Sequence, residues 1–148
     1  MKKFRFRLDT LLKVRQMQKE QAELEYAAAA NRLISAESLL EQTKQQLSDS
    51  VASFQISRDK LISIELLKTY HSYFDKIRKD IVEQKEQVRQ KNLERQEKLT
   101  LLNAAMNRLK IIENLRTKRF EEFRTELLRE EQQQLDELGM QLYVRQVR

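Results

Sequence analysis

The chain has 148 residues with no cysteine, no tryptophan, no proline and one glycine, and 35% of its residues are charged, for a formal net charge of +6. A globule of several short elements needs turns, and turns draw on Gly, Pro, Asn and Asp for particular backbone angles, so this composition excludes most mixed and all-β folds. It also excludes a disulfide framework and thiolate metal sites, and Ala, Glu, Lys, Leu, Arg and Gln in such proportion mark long helices of coiled-coil character.

The chain opens MKKFRFRLDTLLKVR. A secretory signal needs roughly 7 to 15 uninterrupted apolar residues after its basic start, and Asp9, Lys13 and Arg15 interrupt Leu8, Leu11, Leu12 and Val14. Residues 1 to 19 hold seven basic side chains and one acidic. Electrostatic contact with an acidic partner is therefore expected to begin there. No apolar run approaches the ~20 residues of a membrane-spanning helix, so direct insertion into a membrane is not expected.

Steps of four and three from Ala22 give Tyr26, Ala29, Leu33, Ala36, Leu40, Thr43, Leu47, Ser50 and Phe54. That is the seam of a helix packed on one partner helix. Helix 1 is predicted over about 5–56. Serines and aspartates from Ser48 to Ser63 favour turns and helix caps over helix interiors. The reversal is placed at about 57–63, with Ser63 as N-cap of helix 2 and Glu65 in its first turn.

Helix 2 is predicted over about 64–138. Its seam runs through Tyr70, Phe74, Ile77, Ile81 and Val88, turns polar at Gln84, Lys91, Arg95 and Lys98, and recovers at Leu102, Ala105, Leu109 and Ile112. Gly139 is a reasonable stop, leaving 139–148 as an irregular tail. The expected architecture is all-α: a single antiparallel coiled-coil rod over 1–148 with helix 2 longer than helix 1. Folding back near residue 60 places Leu8 near Ile112 and leaves everything after about residue 116 without an internal partner. The paired section would be ~75 Å long and the overhang ~30 Å. Alanine seams and a polar stretch predict marginal stability alone and a gain from a partner that covers the exposed stripes.

No enzyme, cofactor or metal is expected. One glycine cannot build a phosphate-cradling loop, His71 is the sole histidine, and a helical rod has no pocket for a catalytic constellation. His71 reads as a surface residue. Nucleic acid is a weak match, because beyond residue 19 the charges alternate as KEQVRQKNLERQEK, ordinary helix-surface pairing. Phe54, Tyr70, Tyr73 and Phe74 cannot all face one seam, since neighbours on a helix point about 100° apart. They form either an interface or a plug closing the hairpin. Phe120, Phe123, Leu127, Leu135 and Leu138 make an apolar stripe that asks for a partner or for a second copy.

Both ends of the chain resemble the FliJ family of the flagellar type III export apparatus. The opening FRFRLDTLLKVR is similar to that family's start, and LKIIENLRTKRFEEFRTELLREEQQQLDELG to its C-terminal helix, with the late Leu135, Asp136 and Glu137. The resemblance implies a coiled coil similar to the stalk of rotary ATPases, which binds the centre of the hexameric export ATPase FliI, promotes its assembly, contacts the export gate protein FlhA and escorts export chaperones. It further implies a monomer at the inner face of the cell membrane, peripherally associated and cytoplasmic. By position, Phe4, Arg5, Phe6, Arg7, Leu8, Leu11 and Leu12 would face the ring, with Leu135, Asp136 and Glu137 nearby, while Tyr70, Tyr73 and Phe74 would meet the gate. The alternatives are a self-associating structural coiled coil and a basic-arm nucleic-acid binder.

Overall fold

The computed structural model describes residues 2–147. Two α-helices account for almost all of them, α1 (Asp9–Arg58) and α2 (Ile64–Val147), and no strand occurs among the described residues. They form the expected antiparallel hairpin with the longer helix second. Ser63 caps α2: the Leu66 N–H donates to Ser63 Oγ at 3.2 Å, and Glu65 sits in the first turn, favourable for the helix dipole.

The four-three seam is the packing surface. Each seam position from Ala22 to Phe54 on α1, and from Tyr70 to Ile112 on α2, is buried or half-buried. The chain divides into two compact units. In the unit of residues 21–103, Ala29, Phe74, Ile77 and Leu102 are the buried apolar residues. Thr43 is buried as well, its hydroxyl donating to the Leu39 carbonyl at 3.0 Å. In the unit of residues 2–20 and 104–147, Leu12 and Leu109 are buried.

Cross-helix contacts set the register. Lys98 Nζ lies 3.3 Å from Glu25 Oε2, Arg32 Nε lies 3.9 Å from Glu94, and the Phe54 and Tyr70 rings are 5.2 Å apart. Gln21 and Lys98, both donating to the Glu25 carboxylate, hold it below its usual titration range. Leu8 shares a cavity with Leu115 rather than lying beside Ile112. Glu25 with Lys98 and Phe54 with Tyr70 likewise lie three to four residues further along α2 than a fold-back near residue 60 gives, partly because the reversal, residues 59–63, is centred on Leu61.

Two expected helix ends move. Helix α1 starts at Asp9 instead of near residue 5. Phe4 and Phe6 would point about 200° apart on a helix, whereas an extended segment puts both on one side. Helix α2 runs through Gly139 to Val147, so the irregular tail is absent over 139–147, and Arg148 lies outside the described residues. Gly139 does not take the positive φ of a helix-ending glycine. The helix formers on both sides outweigh one glycine, which costs about 1 kcal/mol relative to alanine.

Two substitutions test these assignments. Ile77→Ala, at a site only 4% exposed, should cost about 2–4 kcal/mol in a urea titration followed by circular dichroism. A Cβ at Gly139 meets nothing within 4 Å, so Gly139→Ala should stabilise the last turns of α2 by about 0.5–1 kcal/mol, seen as slower amide exchange over 136–147. The carboxylate of Glu25 gives a pH dependence of known sign. Its contribution is complete above the ordinary glutamate value and disappears as pH falls through the depressed one, so Glu25→Gln should flatten the acid limb of stability.

Candidate functional site

Within the unit that carries both termini, residues 2–8 form a strap ahead of α1, without helix over 2–6 and turning at Arg7 and Leu8. Burial alternates along it: Phe4, Phe6 and Leu8 are half-buried while Lys3, Arg5 and Arg7 are exposed. This is the two-residue period of an extended chain with one side against a surface. The surface is α2. The Phe4 ring packs edge-on to Phe120 at 5.3 Å and tilted on Phe123 at 5.6 Å. At the strap's start, Lys2 Nζ donates to both carboxylate oxygens of Glu130, at 2.8 and 2.9 Å. The Asp9 N–H closes a turn onto the Phe6 carbonyl at 3.2 Å, and the helix takes over.

The strap therefore occupies part of the α2 surface expected to stand unpartnered from residue 116 onward. It follows α2 as far as Glu130, and Phe123, Leu127 and Glu130 are half-buried accordingly. Every residue from 131 to 147 is exposed. That segment carries Leu135, Leu138, Met140, Leu142, Tyr143, Val144 and Val147, each 51–70% exposed. Leu128, Leu135, Leu138 and Leu142 repeat at steps of seven, three and four, the spacing of a helix-binding seam.

A cavity of about 670 Å³ opens beside the strap, lined by Lys3 to Leu8 together with Leu115, Arg119 and Phe123. Four of these nine residues are cationic and none is acidic. Arg119 pairs with Glu122 at 3.0 Å, whereas Lys3, Arg5 and Arg7 have no carboxylate partner among the described residues. Of the residues expected to face the ring, Phe4, Arg5, Phe6, Arg7 and Leu8 are thus gathered at one place. Leu11 is half-buried and Leu12 is core. Leu135, Asp136 and Glu137 lie past the last strap contact at Glu130, and Asp136 accepts a hydrogen bond from Gln132 at 3.0 Å. Leu115 and Arg119 are additions to the expected set, and only the period-two alternation of KFRFRL could have pointed to them.

In the other unit, the aromatic residues beside the turn divide in two. Phe54 packs on Tyr70 at 5.2 Å and edge-on to Phe74 at 5.7 Å. Phe74 is buried, Tyr70 half-buried, and these three form a plug. Tyr73 stands 43% exposed, its hydroxyl 3.5 Å from Ser50 Oγ. Exposed His71 borders a groove of about 300 Å³ with Phe54, Leu67 and Arg78. Leu61 and Ile64, at 108% and 73% exposure, project from the turn. No helix is long and apolar enough to cross a membrane, and no cluster of metal-ligating side chains exists among the described residues.

A family model described as "Flagellar FliJ protein" matches residues 4–148, and the chain belongs to the FliJ family. No curated protein and no solved structure matches it significantly.

The strap's anchoring gives a direct test. Phe4→Ala removes both ring contacts, each worth about 0.5–1.5 kcal/mol. Trypsin should then cut after Arg5 and Arg7 several-fold faster, with helicity unchanged. Equal cleavage of the two proteins would mean that Phe4 does not hold the strap.

Proposed function

We propose that this FliJ-family chain, a component of the flagellar export apparatus, acts as a stalk-like coiled coil whose termini-bearing unit docks into the centre of the hexameric export ATPase, FliI. The observation that carries the reading is the exposed end of α2. Seven large apolar side chains over 131–147 stand exposed, and the strap itself carries three cations without carboxylate partners among the described residues. Cations steer the encounter. The leucine stripe then buries against the ring, and burial of each leucine contributes about 1.5–3 kcal/mol.

Docking of one asymmetric two-helix stalk at the centre of a sixfold ring gives different subunits different contacts, which would promote ring assembly and bias nucleotide states. The turn unit would engage the export gate protein, FlhA, through Tyr73 and the margin of the plug; Tyr70 and Phe74 act from beneath by holding Tyr73 in place. Escort of export chaperones, a monomeric state in isolation, a cytoplasmic location and peripheral association with the inner face of the cell membrane complete the reading.

The same stripe could instead pair with a second copy, and the two outcomes separate cleanly by mass in solution. A monomer that raises the ATPase rate and drives hexamer formation of the cognate ATPase is the expected result. Leu135→Asp with Leu138→Asp, at two exposed positions, should reduce the affinity for the ring by roughly a hundredfold. A stable dimer dissociated by the same double substitution, with no effect on ATPase rate, would replace ring docking by self-association.

A further inference from the structure

We infer that the strap is a receptor for an extended acidic segment of a partner protein, taken up as an added strand along residues 3–7. The inference rests on the reading of this unit as partner-facing, and it adds the chemistry of what is recognised.

Three observations converge. First, burial alternates with the two-residue period of an extended chain, and among the described residues the N–H groups of residues 3–8 donate to no hydrogen bond, while of the strap's carbonyls only those of Phe6 and Leu8 accept one from the backbone. Unpaired backbone in extended form is the template for strand addition. Second, Lys3, Arg5 and Arg7 project at alternate positions. Lys3 and Arg5 thus stand ~6.6 Å apart, the spacing of alternate side chains of a neighbouring strand, and Arg7 follows where the strap turns into α1. Carboxylates at alternate positions of an incoming segment would meet them in register, and carboxylate with guanidinium makes short, charge-assisted hydrogen bonds. Third, the cavity beside the strap has an apolar floor of Leu8, Leu115 and Phe123, able to take the apolar side chains that alternate with those carboxylates.

The surroundings argue against nucleic acid as the occupant. Along α2 from residue 120 to 131, Glu121, Glu122, Glu126, Glu130 and Glu131 stand against Arg124 and Arg129. A polyanion continuing past the three cations would run into that acidic surface, whereas a short acidic segment ends before it. Phosphodiester chains also offer no backbone ladder to the strap.

The test is fluorescence anisotropy of the full chain with a labelled eight-residue peptide of alternating Glu and Val. Saturable binding that weakens as salt rises is expected. Lys3→Gln with Arg5→Gln and Arg7→Gln should weaken it by at least about tenfold, and circular dichroism checks that these exposed substitutions leave the helices intact. A peptide of the same sequence with its alternate, strap-facing amides N-methylated should also bind at least about tenfold more weakly, because it cannot complete the ladder. Equal binding of the methylated peptide, indifference to the triple substitution, or tighter binding of an eight-nucleotide oligouridylate would each overturn the inference. The failures are distinguishable: a chain that stimulates the ATPase but takes no peptide loses this inference alone, and one that takes the peptide without affecting the ATPase loses ring docking alone.

Discussion

Everything in this molecule depends on one four-three seam between two helices. It is a thin source of stability. Six apolar residues are buried, one of them an alanine, and among the described residues no large side chain is completely enclosed. Small seam residues such as Ala22, Ala29 and Ala36 allow close approach of the backbones but remove little apolar area from water. A packed globule of this length would hide far more. The hairpin instead spreads modest burial over many turns, and large apolar side chains remain on the outside along its length, from Met17 and Leu24 to Val147.

The polar middle of α2 acts on specificity more than on stability. Gln84, Lys91, Arg95 and Lys98 occupy seam positions where leucine would pack better. Lys98 meets Glu25, and Arg32 meets Glu94, which is also within reach of Lys91 at 3.5 Å. Uniform apolar seams can slip by a heptad at little cost, whereas a slip here would part Lys98 from Glu25 and Arg32 from Glu94. Polar seam positions fix register in this way in other coiled coils.

The seam and the Ser63 cap were legible because they rest on local rules that nothing else in the chain contradicts. Helical periodicity persists over dozens of residues, and one serine before an acidic first turn has little competition as a cap. The strap was harder to read. It occupies seven residues, it contains no proline or glycine, and its composition suits a helix. Only the alternation of Lys3, Phe4, Arg5, Phe6 and Arg7 opposes helix formation, and the opposition comes from α2: Phe120 and Phe123 offer a surface that rewards one-sided aromatics. Gly139 misled in the reverse direction. A glycine ends a helix when the following chain has somewhere else to go, and residues 140–147 have neither a turn signal nor a packing surface that would draw them off the helix axis. The site was legible as a concentration of charge at the start of the chain, but its α2 wall, Leu115 and Arg119, depended on a pairing register that composition does not contain.

The strap makes the two kinds of exposed surface at this end dependent on one another. By packing Phe4 against Phe120 and Phe123, it uses one apolar patch inside the molecule and in return holds Lys3, Arg5 and Arg7 outward. Were residues 2–8 to continue α1 as helix, those cations would scatter around its circumference and the phenylalanines of α2 would be open to solvent. Lys2 on Glu130 adds a second attachment at the far end of the strap, so the extended form is held at both sides of its cationic face. Beyond Glu130 every described residue of α2 is exposed, and the leucine spacing that starts at Leu128 continues through Leu135, Leu138 and Leu142. The cations beside Leu115, Arg119 and Phe123 and the open leucine stripe further along α2 thus belong to one unit, which offers a partner both charge and apolar area.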